Sequence, residues 1–518
     1  MLLISYLKGS FEEIPSISAC GLAYQRKTAL LLGSVCHAEL RTWTAININR
    51  VKVEFLSLHF SQERLTHLLQ INKLTSMHLI LFILFFTLPG IIKADDWPGW
   101  LGSKRDGVWR EEGIIKNFPE NGPKILWRTK INRGYAGPAV SNGKVFVMDR
   151  EIAQNAQSPE NPFARDKIPG KERLLCIDAN SGKLIWVKSH NCDYTISYSA
   201  GPRATPIIEK ERIYSLGAEG NLFCRNTEDG STIWTNDFNT SFNTKTPTWG
   251  FSASPLIYGK LLICLAGGQG SVAVAFDKLT GEEKWRSLSA KEPGYAPPVI
   301  IKHADKELLI IWTPESVNAL DPDTGKEIWS IPWQLRFGLS VSTPQLVGDI
   351  LFLSSFYNGS MALKIKTGKE PEIIWKTAKV SEKRTEHLHG IMNTAVINEG
   401  HIYGACSYGE FRCLSLKSGK RIWESLEPVG LQRPSRWGTV FVTPHENRYF
   451  LFSETGELAI AELSTSGYKE ISRAHVIEPN GIDMRQRKIV WSHPAYAMKS
   501  CFIRNDTELI RVSLATSE

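Results

Sequence analysis

One phrase recurs six times and constrains the fold more than any other feature of the chain. A short apolar strand ends in a polar residue, a Gly turn follows, and a second strand ends in Trp. Asp178 leads to Ser181-Gly182-Lys183 and Trp186, Asn226 to Asp229-Gly230-Ser231 and Trp234, Asp277 to Thr280-Gly281-Glu282 and Trp285, and Asp321 to Thr324-Gly325-Lys326 and Trp329. Lys364 leads to Thr367-Gly368-Lys369 and, after three extra residues, Trp375; Ser415 leads to Ser418-Gly419-Lys420 and Trp423. The Trp-to-Trp steps are 48, 51, 44, 46 and 48 residues.

The turn chemistry explains the phrase. An Asp before the turn can accept from backbone amides two residues on, and Gly supplies the positive φ of a tight hairpin. The Trp falls on an outer strand, where its ring can fill the wedge between neighbouring units, so Trp186, Trp234, Trp285, Trp329, Trp375 and Trp423 read as structural. A second phrase precedes each of these: a small residue or Pro, an apolar strand, a Gly turn and another strand, as in Ala253-Ser254-Pro255-Leu256-Ile257 with Gly259-Lys260-Leu261-Leu262-Ile263. Together the two phrases make a four-stranded antiparallel meander, and a period in the forties is that of a β-propeller blade.

The pattern weakens after Trp423, and Trp491 to Leu514 supplies only three strands before the chain ends. The missing strand lies at the other end, in Gly122-Pro123-Lys124-Ile125-Leu126-Trp127, with Trp127 as a seventh structural Trp. The expectation is an all-β fold: one eight-bladed propeller over 123–518, closed by a strand around 123–128 that completes the last blade. A chain of 518 residues would otherwise suggest about three domains; the repeat replaces them with one ring.

The longest apolar run, Leu79 to Leu88, is too short to span a bilayer as a helix and suits the centre of a secretory signal peptide. The expected division is an upstream extension over 1–76 without structural role, a signal peptide over 77–94, a leader over 95–122, and then the propeller. This places the protein in the periplasm or outside the cell, with no transmembrane span. The formal charge of +8 falls to +4 without residues 1–94, and its thin spread argues against a nucleic-acid partner. Nine cysteines form no metal frame of paired C-x-x-C motifs. Cys176, Cys224 and Cys413 share one phase of the repeat and read as small buried hydrophobes, while Cys406 and Cys413 flank a hairpin across which they could pair.

These repeats resemble the quinoprotein-type, or pyrroloquinoline-quinone-like, family, whose hallmark is Asp-x-x-Thr-Gly-x-x-x-Trp; the resemblance covers roughly residues 97–518. The chain is also similar to the propeller subunit of the outer-membrane β-barrel assembly machinery, which binds no quinone. Its opening Trp97-Pro98-Gly99-Trp100-Leu101-Gly102 resembles the leader of secreted planctomycete-type members. Quinone-dependent relatives are expected to hold the quinone with calcium through Glu, Asn and Asp side chains, beneath a disulfide between adjacent cysteines. This sequence has no Cys-Cys pair and no C-x-x-C-H haem site.

Candidate ligand-facing residues are those at the start of each innermost strand, which ring the mouth of a central channel: Arg133, Tyr135, Tyr198, Arg203, Trp249, Tyr295, Arg336 with Phe337, His387, His389, Arg436, Trp437, Trp491 and His493. Aromatic and cationic groups there can stack on or pair with an aromatic or anionic ligand; equally, the aromatics can close the funnel sterically and the arginines bond neighbouring carbonyls. His387-x-His389 alternates correctly for two imidazoles on one face, with His493 a conceivable third, but two histidines without a matched carboxylate read as polar contacts, so no metal and no catalytic residue is assigned. The polar insertion from Arg150 to Lys171 reads as a surface loop near the mouth. The resulting expectation is a monomeric, non-catalytic binding scaffold for an envelope or secreted protein or a small anionic ligand, without a cofactor. The alternative is a divergent dehydrogenase of alcohols or sugars using the quinone with calcium, and a weaker one is carbohydrate binding by the aromatic ring.

Overall fold

The computed structural model describes residues 96–516. The extension expected over 1–76 and the signal peptide expected over 77–94 lie outside the described residues. Among these, the chain forms eight four-stranded antiparallel sheets and one two-stranded hairpin, Gly481–Ile482 with Lys488–Ile489. Blades 1 to 7 are consecutive meanders spanning 139–191, 207–237, 256–287, 299–332, 345–376, 396–425 and 440–475. Blade 8 joins Ala495–Ala497, Ser500–Arg504 and Glu508–Ser513 to Ile125–Lys130, which pairs antiparallel with the last of these. The ring is closed by sequence-distant strands, which ties the two ends of the chain into one blade and leaves only short strand edges.

In six blades the Trp of the fourth strand stands directly opposite a small residue of the third. The pairs are Cys176 with Trp186, Cys224 with Trp234, Ala275 with Trp285, Ala319 with Trp329, Ala362 with Trp375 and Cys413 with Trp423. The indole then reaches into the next blade. Trp186 Nε1 donates to Thr227 O (3.1 Å), Trp234 to Lys278 O (3.2 Å), Trp285 to Pro322 O (3.2 Å), Trp375 to Leu416 O (2.8 Å), Trp423 to Ser464 O (2.8 Å) and Trp127 to Ala179 O (2.9 Å). Five of these carbonyls lie in the third-to-fourth-strand connection of the following blade, and Ser464 O ends the third strand of blade 7. Trp127, Trp186, Trp234, Trp285, Trp375 and Trp423 thereby tie their blades to the next through a ring and a satisfied donor.

Blade 7 has no such Trp, and residues before the propeller proper cover its seam with blade 8. Trp97, Trp109, Ile114 and Phe118 are buried in the core shared by blades 7, 8 and 1. Trp109 packs on His445 and Phe450 of blade 7 and on Tyr496 of blade 8, with ring centroids 4.9, 5.2 and 5.1 Å away. Its backbone amide donates to Pro444 O (2.9 Å). The segment set apart in the sequence as a leader is thus packed into the propeller.

The seven described cysteines are free and buried. The pairing of Cys406 with Cys413 fails on register: Ala405 faces Phe411, and Cys413 faces Tyr403. No helix of the described residues is long and apolar enough to cross a membrane.

Candidate functional site: an aromatic cup

In each meander, the connections between strands two and three and those leading to the next blade emerge at one end. The connections to the next blade carry most of the expected mouth residues. They line a cavity of about 860 Å³, with Tyr135, Tyr198, Arg203, Trp249, Tyr295, Arg436, Trp437, Trp491 and His493 in its wall, joined by Phe337. Every blade junction contributes, including that between blades 5 and 6 through Ile391 and Met392.

The leader closes the opposite end. Its Trp100 lines the cavity, donates from Nε1 to Thr343 Oγ1 (2.9 Å) and meets His493 edge-on at 4.5 Å. Arg105 anchors the leader by donating to Pro255 O (3.1 Å) and Pro298 O (3.3 Å), in blade 3 and before blade 4. Burial lowers its pKa to about 10. Around the mouth the rings form a nearly continuous belt. Tyr198 lies 5.3 Å from Phe163, 6.3 Å from Trp437 and 5.8 Å from Trp491, while Trp249 meets Tyr295 at 5.6 Å and Phe337 meets Tyr357 at 5.2 Å.

Three of these aromatic residues hold left-handed backbone: Tyr198 (φ 53°), Phe337 (φ 57°) and Trp437 (φ 64°). Non-glycine residues there cost about 1 to 3 kcal/mol each, and such positions cluster at ligand sites. In Trp249-Gly250, Phe337-Gly338 and Trp437-Gly438 the glycine amide donates to the carbonyl three residues back, although the left-handed residue is the glycine in the first, both residues in the second and the Trp in the third. The turn lifts the ring towards the axis; Phe337 is 58% exposed.

The charged groups are largely engaged within the wall. Arg203 donates to the carbonyls of Gly201 (2.9 Å), Ser197 (2.8 Å) and Tyr198, and Arg436 to the Tyr357 hydroxyl (2.9 Å) and to Glu382. Arg436 also lies over Trp437, 4.5 Å from the ring centroid. Glu292 accepts from Tyr295 (2.8 Å) and Thr248 (3.3 Å). Burial pushes the His493 pKa down to about 4, and its Nε2 lies 2.7 Å from Thr205 Oγ1.

Four expected mouth residues lie outside the cavity wall. Arg133 points away, 4.0 Å from Asp506 with its side chain 56% exposed, and Arg336 packs over Phe337 and Tyr357 from outside. His387 is buried, stacks on Trp375 at 5.0 Å and bonds Thr377 (3.0 Å). His389 is buried with Nδ1 3.0 Å from Phe356 O, and burial lowers its pKa to about 4. Neither imidazole joins His493. Trp100, Tyr357, Ile391, Met392 and Phe163 also line the cavity, with no signal in the repeat to mark them. Phe163 sits in the Arg150 to Lys171 insertion, which is fixed over the mouth: Pro162 O accepts from Tyr198 N, and Phe163 O from Ser197 Oγ (3.0 Å).

A family model described as outer membrane protein assembly factor BamB matches residues 170–425. No curated protein matches the chain. Among solved structures, the chain is similar to BamB from Moraxella catarrhalis, with a TM-score of 0.49 and 13% identity over 76% of this chain and 98% of that one. It is similar to the computationally designed protein Ika8, with a TM-score of 0.46 and 9% identity over 76% of this chain and 100% of that one. It is also similar to a quinohemoprotein alcohol dehydrogenase from Comamonas testosteroni, with a TM-score of 0.42 and 13% identity over 82% of this chain and 81% of that one.

Proposed function

Since the blades of this chain belong to the pyrroloquinoline-quinone-like propeller repeat family, we propose that it is a non-catalytic, extracytoplasmic binding scaffold whose aromatic cup receives an apolar or aromatic portion of a partner, foremost a protein of the cell envelope. The observation that carries this reading is the cup itself. It is closed at one end by Trp100, ringed by aromatic side chains, three of them on left-handed backbone, and its arginines and Glu292 are bonded within the wall. A ligand entering it meets aromatic faces first, and rigid rings give contact area at little entropic cost. The extracytoplasmic setting is supported by the Leu79 to Leu88 run and by the matched description, which names an outer-membrane factor. The scaffold is taken as a monomer.

The quinone alternative fits the residues poorly. Calcium takes six to eight oxygen ligands, whereas Glu292 and Glu315 are the carboxylates in the cavity wall, and Glu292 is already held by two hydroxyls. Arg203, the guanidinium nearest Tyr135, donates to three backbone carbonyls and is poorly placed to grip a carboxylate of the quinone. Reconstitution of the purified chain with calcium and pyrroloquinoline quinone, followed by dye-linked alcohol oxidation, tests this. The scaffold reading expects no turnover. Stoichiometric quinone uptake with turnover overturns it.

A further inference from the structure

The outer half of blade 1 places three metal-ligand side chains together, away from the cup. Glu172 on the third strand stands directly opposite His190 on the fourth, and Cys192 follows two residues on, which in extended chain returns to the same face. The carboxylate, imidazole and thiol atoms all lie within 4.8 Å of one another, the one such cluster among the described residues.

Two features point to a ligand between them. Glu172 is fully buried, and its Oε1 accepts from the Tyr194 hydroxyl and from Ala218 N (2.8 Å), while Oε2 has no hydrogen-bond partner. His190 Nε2, also buried and without a hydrogen bond, faces that oxygen at 3.6 Å. A buried unsatisfied carboxylate oxygen is expensive, and native interiors rarely leave one beside an unsatisfied imidazole nitrogen. Gly217 keeps the space open, because a Cβ there would collide with Glu172 Oε2. In the metal-free protein the Cys192 thiol donates to Asn221 Oδ1 (3.7 Å), a weak contact that coordination of the thiolate replaces.

We propose that Glu172, His190 and Cys192 form a binding site for one zinc-class divalent cation, with a fourth position reached from solvent beside His190. Sulfur, nitrogen and oxygen donors together suit borderline ions such as Zn²⁺ or Co²⁺ rather than calcium or magnesium. Tetrahedral bonds of 2.0 to 2.3 Å need donor atoms roughly 3.3 to 3.8 Å apart, within reach of small side-chain rotations from this arrangement. Two anionic ligands and one neutral imidazole would balance the ion's charge inside the protein. Because Glu172 also bonds Ala218, just past the second strand of blade 2, the ion would brace the junction of the first two blades. His190, with a side chain 20% exposed, leaves an entry path.

The test is titration of the full-length, reduced and chelator-treated chain with Co²⁺, read by visible and near-ultraviolet absorption, with competition by Zn²⁺. The expected result is one equivalent bound with a thiolate-to-cobalt charge-transfer band that Zn²⁺ abolishes. Cys192→Ser removes the band, and His190→Gln, at a partly exposed position, weakens cobalt affinity roughly tenfold or more, both with unchanged far-ultraviolet circular dichroism. The same band in the Cys192→Ser chain would put the thiolate elsewhere and overturn the proposal. So would full-affinity binding by His190→Gln, or no saturable cobalt uptake by the unaltered chain.

Discussion

Gly281 in blade 3 lies flat against the indole of Trp234 in blade 2, so closely that a Cβ on it would stand 2.6 Å from Trp234 Cδ2. The same contact joins Gly182 to Trp127, Gly230 to Trp186, Gly325 to Trp285 and Gly419 to Trp375. The turn glycine therefore has two duties: a positive φ for its own hairpin, and a flat seat for the preceding blade's ring. Gly368 has the positive φ but open space around it, because blade 5 carries three extra residues after its turn.

Gly281→Ala and Gly368→Ala separate those duties. The left-handed backbone alone costs about 1 to 2 kcal/mol for a residue with a Cβ, and displacing a packed ring adds about 1 to 3 kcal/mol. Urea unfolding is expected to show a loss of about 3 kcal/mol for Gly281→Ala and about 1 kcal/mol for Gly368→Ala. Combining Gly281→Ala with Trp234→Ala is expected to be non-additive, since the second change removes the ring that the first strikes.

Arg105 tests whether the leader belongs to the fold. Removing a half-buried guanidinium that serves Pro255 O and Pro298 O takes a donor from each of two carbonyls, and Arg105→Ala is expected to lower stability by about 1 to 2 kcal/mol. Limited proteolysis should then cut first near residues 97–110. Unchanged stability and protection would mean that the leader merely rests on the propeller.

Acid should destabilise the protein through the buried His389 and the half-buried His493. His389 and His493 have folded pKa values of about 4 against an ordinary 6.5. Between those values the unfolded chain binds protons that the folded chain does not, so their contribution is complete above pH 6.5 and is lost as pH falls towards 4, about 3 kcal/mol for each. Glu454, raised by burial, works in the opposite sense. The comparison is therefore between variants: urea midpoints of His389→Gln at pH 7 and pH 4.5 should differ less than those of the unaltered chain.

Closure of the ring rests on Trp127, which is buried and bonded to Ala179 O, the carbonyl that also accepts from Arg511 (2.9 Å). Trp127→Ala is expected to cost about 3 to 5 kcal/mol. Hydrogen exchange should rise first in Ile125–Lys130 and Glu508–Ser513, while blade 4 keeps its protection. A uniform rise through all blades would contradict the idea that blade 8 is the seam.

The blades, their number and the closing strand were legible because hydrophobic alternation and turn chemistry are local. The repeat also marks both Trp234 and Gly281, but not that they touch, since that contact crosses from one blade to the next. Longer reach hid more. Trp97, Trp100 and Trp109 meet partners up to several hundred residues away, so nothing near them in the chain announces a plug. His387 and His389 alternate as strand neighbours would, but the folded chain puts them in the connection between blades 5 and 6, outside any strand, where His387 stacks on Trp375 and His389 bonds Phe356 O rather than entering the cup. Ile391 and Met392, a few residues on in the same connection, take the cavity position instead. Glu172, between Lys171 and Arg173, is in sequence one member of a short charged run; the register that sets it opposite His190 comes from the folded sheet.

The most direct test of the central claim is site-specific photocrosslinking in envelope extract. A photoreactive phenylalanine analogue is placed at Phe337 on the mouth and, for comparison, at Ile422, an exposed position on the outer strand of blade 6. The account predicts a discrete adduct from Phe337 that Trp437→Ala abolishes, and none from Ile422. Adducts confined to Ile422, or a Phe337 adduct indifferent to Trp437→Ala, would contradict the assignment of the aromatic cup as the binding surface.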